Sequence, residues 1–238
     1  MSDHAVPQGP DANAKRFVTD AADASAEVGV GPWPGGPAAW PDDARLDPAL
    51  LAEGDRRNVV DRFRYWSMEA IIEQLDRERH GFHVAVENWQ HDFNIGSIVR
   101  SANAYGAAAV HIVGNKRWNR RGAMVTDRYQ HIHHHPEVAG FVDRMRKAGL
   151  AIVAVDNVPG SVPIERTELP RDCVLVFGQE GPGVSPEILA AADMCVAITQ
   201  YGSTRSINVG AAASATMFAW VLQNVHGWQV PSDETRTQ

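Results

Sequence analysis

Short apolar runs alternate with helix-like segments from about residue 82 onward, and this alternation restricts the fold more than any other feature. The runs predicted as strands are 82–86, 109–113, 151–155, 174–177 and 194–198. Segments with helical spacing or helix-start residues separate them, near 95–105, 137–148, 186–192 and after 206. Strands that are apolar along their whole length are typical of parallel sheets covered by helices on both faces. The sequence therefore predicts an α/β fold with a mostly parallel sheet.

The two ends of the chain have a different composition. Residues 1–45 are rich in Ala, Pro, Gly and Asp, which bury too little apolar surface to offset the entropy of ordering. We expect a flexible tail there, a helical extension over 46–80 in which Ser67 caps a helix, and a disordered C-terminus over 229–238. The α/β domain is predicted to span 81–228.

A formal net charge of -7 would disfavour a nucleic-acid partner if it were evenly distributed, but it is not. Residues 1–61 carry 11 of the 29 acidic side chains and only 5 of the 22 basic ones. The rest of the chain is nearly neutral, so the total charge does not exclude RNA. Cys173 and Cys195 lie in apolar runs and are predicted to be reduced core thiols. With no signal-peptide pattern and no convincing membrane span, we expect a cytoplasmic protein.

Polar residues follow the first predicted strand, in the stretch E-N-W-Q-H-D-F-N-I-G-S-I-V-R at 87–100. Asn94 is a suitable helix N-cap, and Ser97 and Arg100 lie three and six residues later on roughly one helix face. Open α/β sheets bind ligands at the carboxyl ends of their strands, which makes this a candidate site. A capped helix with one exposed arginine remains the alternative.

Two further stretches begin where apolar strands end. V-L-V-F-G-Q-E-G-P-G-V-S-P-E at 174–187 places Glu180 among glycines, but it matches neither the dinucleotide fingerprint nor a P-loop. A turn with a solvated acid is the alternative there. I-T-Q-Y-G-S-T-R-S-I-N-V at 198–209 leads into an alanine-rich helix, with Ser206 and Asn208 at its start. Such a loop suits a ligand held by backbone groups at a close crossing.

A basic stretch at 114–135 contains five cations, opposed by one carboxylate at Asp127. Trp118 and Tyr129 are interleaved with the cations, as expected for a surface that contacts RNA phosphates and bases. A solvated charged face is the alternative. His131 and His133–His135 have no Cys or carboxylate at ligand spacing, so we expect polar or RNA-facing histidines and no metal.

Taken together and in this order, three of these stretches resemble the motifs of the SPOUT RNA methyltransferases, specifically the SpoU/TrmH branch of ribose 2′-O-methyltransferases. N-I-G-S-I-V-R at 94–100 is similar to the first motif, F-G-Q-E-G-P-G-V-S at 177–185 to the second, and I-T-Q-Y-G-S-T-R-S-I-N-V to the third. The resemblance covers about residues 82–225.

The resemblance implies a C-terminal deep trefoil knot, a homodimer, S-adenosyl-L-methionine as cofactor, and tRNA or rRNA as substrate. It implies that Arg100 contacts the ribose 2′-hydroxyl and a phosphate, and that Asn94 and Glu180 fix it. The implied catalytic residues are Asn94, Arg100, Glu180, Ser206 and Asn208. The implied cofactor-binding residues are Val155, Gly178, Glu180, Gly181, Ile198, Ser206 and Ile207. The cations expected to bind RNA are Lys116, Arg117, Arg120, Arg121, Arg128 and Arg205.

Two residues depart from the family pattern. Thr199 stands where a proline is common, and Gly210 stands where a serine is frequent. Two other functions also remain open. One is a catalytically silent RNA-binding relative, which the joint presence of Asn94, Arg100, Glu180 and Asn208 disfavours. The other is an ordinary nucleotide-dependent α/β enzyme, which the absence of dinucleotide and P-loop patterns disfavours.

Overall fold

The structure, a computed structural model, describes residues 29–90 and 94–230. Most of the tail predicted over 1–45 and of the C-terminus predicted over 229–238 therefore lies outside the described residues. Residues 29–45 contact the extension that follows them. Val30 pairs with Asp55, and the ring of Trp33 lies 5.3 Å from that of Tyr65. In the parts described, no helix has the length and apolarity needed to cross a bilayer.

The described residues form a seven-stranded sheet in which every strand pair is parallel, as predicted. The strand order is β3-β2-β1-β6-β4-β7-β5. The strands are β1 His83–Asn88, β2 Val110–Gly114, β3 Ile132–His135, β4 Ala151–Val155, β5 Val162–Pro163, β6 Cys173–Phe177 and β7 Met194–Ala197. The helices are α1 Pro48–Glu53, α2 Met68–Glu78, α3 Ile95–Ala104, α4 Val138–Lys147, α5 Pro186–Ala191 and α6 Val209–Asn224. The edge strands β3 and β5 were not predicted.

Helices cover both faces of the sheet, which explains why the central strands are apolar throughout. On one face α3 and α6 contribute Ile98, Met217 and Trp220 to a core with Phe82 and Leu175. On the other face the core contains side chains of α4 and α5, among them Phe141, Met145 and Ile188. Burial of each of these side chains stabilises the fold by about 1.5–3 kcal/mol.

The strand register brings three chain segments to one edge of the sheet. Phe177 at the end of β6 lies opposite Val86 of β1 and Val155 of β4, and Val155 lies opposite Val196 of β7. The segments that leave β1, β6 and β7 therefore converge at the carboxyl edge of the sheet. These are the three segments that carry the motifs.

The histidine-rich stretch, expected to hold polar or RNA-facing histidines, contains strand β3, and its His135 is hydrogen-bonded inside the protein and does not face RNA. His111 and His135 are only 1% and 6% exposed. His111 shares hydrogen bonds of 2.9 Å with His83 on one side and with His135 on the other. His131 pairs instead with Asp76, and His134 contacts the carbonyl of Gly114. The imidazoles thus join β1, β2 and β3.

Burial in this row holds the imidazoles neutral. It lowers the pKa of His83 and of His135 to about 4, and that of His111 to about 2, with the neighbouring histidines and Arg144 adding repulsion. Unfolded histidine has a pKa near 6.5, so the unfolded chain binds more protons than the folded chain as the pH falls below that value. Stability is therefore full above about pH 6.5 and decreases toward pH 4.

We expect the free energy of unfolding to fall by a few kcal/mol, roughly 2–4, between pH 7.5 and pH 5 because of this row. Urea titrations at the two pH values measure the change. His135→Gln should reduce the pH dependence, whereas His226→Gln, which replaces an exposed histidine after α6, should leave it as in the wild type. An equal pH dependence in all three proteins would contradict the assignment to the row.

Candidate active site

Asn94, Glu180 and Asn208 form one hydrogen-bonded cluster at the carboxyl edge of the sheet. Asn94 Nδ2 donates to Glu180 Oε2 at 2.8 Å. Asn208 Nδ2 donates to Asn94 Oδ1 at 2.9 Å and to Glu180 Oε1 at 3.2 Å. The cluster thus joins one polar side chain from each of the three motifs, across up to 114 residues of sequence.

Helix capping fixes one member of this cluster but not another. Asn208 is the N-cap of α6, where its Oδ1 accepts from the backbone N–H groups of Gly210 and Ala211. Its amide nitrogen is thereby aimed at Asn94 and Glu180. Asn94 occupies the N-cap position of α3 as predicted, but its side chain makes no capping hydrogen bond. The predicted N-cap position is therefore correct, but the side chain bonds to the cluster and not to the helix backbone.

A cleft of about 230 Å³ opens beside the cluster, between the ends of β4, β6 and β7. Its walls combine apolar surface from Val155, Phe177 and Ile198 with polar groups of the loops. All seven residues expected to bind the cofactor line it, namely Val155, Gly178, Glu180, Gly181, Ile198, Ser206 and Ile207. Asp156, Gln179 and Gln200 line it as well and were not predicted.

Tight backbone packing forms one wall of this cleft. The loop after β6 folds back on itself, with Gln179 and Gly183 exchanging hydrogen bonds of 3.1 and 3.0 Å. A Cβ on Gly178 would lie 2.0 Å from the carbonyl carbon of Gly183, so only glycine fits there. Asp156 Oδ2 accepts from the Val184 N–H at 2.7 Å and ties the loop to the end of β4.

Buried polar groups extend this support. Glu87, the last charged residue of β1, is 0% exposed and accepts from the Ser185 N–H at 2.7 Å. Gln200 Oε1 is buried and has no hydrogen-bond partner among the described residues. A charged residue at the end of the run H-V-A-V-E-N is the signal that could have identified Glu87. Gln200 gives no comparable signal.

The structure does not join Arg100 to the cluster. Arg100 is exposed on α3, about 9 Å along the helix axis from Asn94, and its guanidinium makes no hydrogen bond or ion pair within the described ranges. The expectation that Asn94 and Glu180 hold Arg100 is therefore not met here. Ser206 is exposed at the cleft, where its carbonyl accepts from Thr204 Oγ1.

The basic segment, residues 115–128, lies next to α3 with its cations in solvent. A Cβ on Gly96 of α3 would lie 2.8 Å from the Gly122 backbone, which shows how closely the two approach. The exposed cations are Lys116, Arg117, Arg120, Arg121 and Arg128, together with Arg205 on the loop before α6. Of these, Arg120 pairs with Asp127 at 3.3 Å.

The rings predicted to face RNA bases are used inside the protein. Tyr129 is only 8% exposed and packs with Phe63 and Ile71. Trp118 is half-buried against the core, and the Arg120 guanidinium lies 5.5 Å from its ring. The prediction that Tyr129 contacts bases is therefore wrong.

The two departures from the family pattern have local contacts. Thr199 Oγ1 donates to Glu165, which links the end of β7 to the segment after β5. A Cβ on Gly210 would lie 3.1 Å from Asn208 Oδ1, so a larger residue would press on the side chain that orients the cluster. Neither departure removes a group from the cluster.

The fold and the site define an α/β protein with a ligand cleft at the carboxyl edge of a parallel sheet and a cationic surface beside it. More specifically, the chain belongs to the SpoU rRNA Methylase family, whose model matches residues 81–218. This confirms the family indicated by the three motifs.

Individual relatives are similar over most of this region. A tRNA (guanosine(18)-2′-O)-methyltransferase from Borreliella burgdorferi is 26% identical over 172 residues, covering 71% of this chain and 79% of that protein. AviRb, a SpoU methyltransferase from Streptomyces viridochromogenes solved with AdoMet, matches with a TM-score of 0.54 and 26% identity over 62% of this chain and 59% of that one.

A third relative is an AdoMet-bound rRNA methyltransferase from Sinorhizobium meliloti. It matches with a TM-score of 0.56 and 25% identity over 65% of this chain and 61% of that one. This chain thus spans less than two thirds of either solved protein. The two structures contain the cofactor that the resemblance implies for the family, S-adenosylmethionine.

Proposed function

We propose that this protein is an S-adenosylmethionine-dependent RNA 2′-O-ribose methyltransferase that acts on tRNA or rRNA. One observation carries the proposal: the polar side chains of three distant motifs meet in a single cluster on the rim of a cleft lined by every residue expected to bind the cofactor. We further propose that the protein works in the cytoplasm, where it would meet its RNA substrate after transcription.

The residues of the cleft fit the proposed cofactor. Apolar surface from Val155, Phe177 and Ile198 suits the adenine ring and the aliphatic part of the methionine. Gln200 offers a buried acceptor with no partner in the described chain, and the loops after β6 and β7 offer backbone groups. When bound, S-adenosylmethionine supplies an electrophilic methyl group on a sulfonium.

The chain's own task is to place the ribose hydroxyl and to stabilise the charge that develops on it. Orientation of two reactants can supply a large part of a rate enhancement. Arg100 suits this role, because its guanidinium is exposed on the helix that begins at the cluster and is free of partners in the described structure. A guanidinium with a pKa above about 12 donates hydrogen bonds and does not serve as a base. We therefore assign Arg100 the orientation of the 2′-oxygen and an adjacent phosphate.

The cluster would hold the loops on either side of that hydroxyl. Glu180 accepts from both Asn94 and Asn208, so the first turn of α3, the loop after β6 and the start of α6 keep a constant spacing. Ser206 lies on the loop that leads to Asn208 and would shape the same rim.

We further propose that the chain forms the trefoil knot and the homodimer implied by the resemblance. The loops 178–185 and 198–208 line one cleft, and α6 packs against α3 after leaving that cleft, which supports a threaded C-terminal segment. An uncharged, partly exposed stripe on α6 supports the dimer; it contains Ala211, Ala215, Phe218 and Leu222, and Val225 continues it directly after the helix. Helices that are apolar on all sides are usually buried.

Methyl transfer from labelled S-adenosylmethionine tests the proposed activity. The acceptors are unfractionated tRNA and rRNA from cells that lack the protein, and the product is digested to locate 2′-O-methylated nucleotides. We expect incorporation into one of the two RNA classes and recovery as a 2′-O-methylnucleoside. Cofactor binding without transfer to either RNA would favour a catalytically silent RNA-binding protein.

Neutralising two cations of the basic segment should weaken RNA binding and reduce its salt dependence. Each phosphate contact contributes about 0.7–0.9 to the slope of log K against log salt, so the double variant Arg120→Gln, Arg121→Gln should lower the magnitude of that slope by about 1.4–1.8. Anisotropy titrations of labelled tRNA at several salt concentrations measure it. The control Arg77→Gln, Lys147→Gln removes the same charge from exposed positions on α2 and α4. An equal slope in both double variants would exclude the basic segment as the RNA contact.

A further inference from the structure

We infer that Trp89 is a stacking platform for an unpaired nucleobase next to the ribose that the site methylates. The inference rests on the proposed function, and it names the part of the RNA that this side of the site holds. Trp118 of the basic segment and Tyr129, which follows it, are used for internal packing. Trp89, by contrast, is 40% exposed, and its backbone is bonded to Gln179, the residue before Glu180 of the cluster.

Every polar atom of Trp89 is held in place. Its backbone N–H donates to Gln179 Oε1 at 2.9 Å, and its indole N–H donates to Glu87 Oε1 at 3.0 Å. Its carbonyl accepts from Asn115 Nδ2 at 2.9 Å. A single exposed apolar side chain is ordinary at a protein surface. An exposed indole whose N–H is bonded, on a backbone whose N–H and carbonyl are also bonded, is by contrast oriented before any ligand arrives.

The contacts on the inner side of the ring come from rigid groups. Glu87 is 0% exposed, and its second oxygen accepts from the Ser185 N–H, which ties the indole to the loop after β6. Gly114 has a φ of +106°, and a Cβ there would lie 2.8 Å from Trp89 Cε3. The ring therefore rests directly on the backbone at the end of β2. A rigid aromatic surface loses little conformational entropy when a base stacks on it.

Trp89 lies between the cluster and the cations of the basic segment. Gln179, which holds the Trp89 backbone, is the residue before Glu180 of the cluster. On the other side, Asn88 Nδ2 donates to the carbonyls of Asn115 and Arg117 and fixes the start of the basic segment. A chain that placed a ribose at the cluster and phosphates on Lys116 and Arg117 would bring a base to Trp89. Because every base has a π-face, the platform would be tolerant of sequence.

The test measures binding of short RNA by Trp89→Ala and Trp89→Phe. The probes are a single-stranded adenosine dodecamer, an abasic oligomer of the same length, and unfractionated tRNA. Stacking on one aromatic side chain corresponds to roughly 5- to 150-fold in affinity. We expect Trp89→Ala to lose a factor in that range for the dodecamer and little for the abasic oligomer. Trp89→Phe should retain most of the affinity, and binding of S-adenosylmethionine should stay within about twofold in both.

Trp228→Ala is the matched control, because Trp228 is 43% exposed and follows α6. The 16 residues of α6 span about 24 Å from Asn208, and Trp228 lies at the far end, where its N–H donates to the Leu222 carbonyl. Thermal unfolding of each variant establishes that it is folded. The inference is overturned if Trp89→Ala binds the dodecamer like the wild type, if Trp89→Phe loses as much as Trp89→Ala, or if the abasic oligomer is weakened equally.

Failure of the proposed function gives a different result. The wild type could transfer no methyl group to tRNA or rRNA while Trp89→Ala alone loses the preference for the dodecamer over the abasic oligomer. That result would support the stacking platform and contradict the proposed activity. If the wild type transfers methyl groups and Trp89→Ala binds every probe as the wild type does, the result supports the proposed activity and contradicts the stacking platform.

Discussion

Arg100→Ala is expected to reduce methyl transfer to RNA on the order of 1,000-fold while binding S-adenosylmethionine within about twofold of the wild type. The guanidinium is exposed on α3, outside the set of residues that line the cleft, so its loss leaves the cofactor walls unchanged. In the mechanism we propose, the variant loses a charged donor at the place where the ribose oxygen would develop negative charge. Removing one such donor costs about 10²- to 10³-fold in other enzymes.

Single-turnover transfer to RNA and calorimetric titration of the cofactor measure the two quantities separately. Arg77→Ala is the matched control, since Arg77 is an exposed arginine on α2 that pairs with Glu73. It should transfer at the wild-type rate. Arg100→Lys keeps the charge but loses the planar pair of donors, so we expect an intermediate rate. Undiminished transfer by Arg100→Ala would remove this residue from the mechanism.

The central sheet was predictable because strands buried on both faces are apolar along their whole length. The predicted strand 151–155 agrees with β4, and the other central strands differ by at most two residues at either end. The edge strands β3 and β5 do not show this apolar pattern. β3 reads I-H-H-H and is stabilised by a row of neutral imidazoles, while β5 has two residues, fewer than any periodicity requires.

The cleft was predictable for a different reason. The carboxyl ends of adjacent parallel strands lie at one edge of a sheet. Because β6, β4 and β7 are neighbours in the strand order, the loops that follow them converge at that edge. The detailed partners could not be derived in this way. Asn94 has the residue type of a helix cap, yet its side chain bonds to Glu180 and Asn208, which come from distant parts of the chain. The burial of Glu87 and Tyr129 likewise depends on the packing of whole elements.

Gly178→Ala is expected to destabilise the protein by about 3 kcal/mol and to weaken binding of S-adenosylmethionine at least roughly 100-fold. The added Cβ would lie 2.0 Å from the Gly183 carbonyl carbon and 2.2 Å from the Val184 nitrogen. Both obstacles are backbone atoms, so no side-chain rotation relieves the contact and the loop after β6 must move. That loop carries Glu180 and forms a wall of the cleft, so its displacement separates Glu180 from Asn94 and Asn208.

Gly202→Ala provides the matched control, because a Cβ there meets no atom within 4 Å and the glycine lies on the neighbouring loop after β7. Its free energy of unfolding should be within about 0.5 kcal/mol of the wild-type value, and it should bind the cofactor equally well. Thermal unfolding and calorimetry of the three proteins make the comparison. If Gly178→Ala kept cofactor affinity within threefold of the wild type, the loop after β6 would not form the wall of the cofactor site. The cluster would then have to act on a ligand held elsewhere.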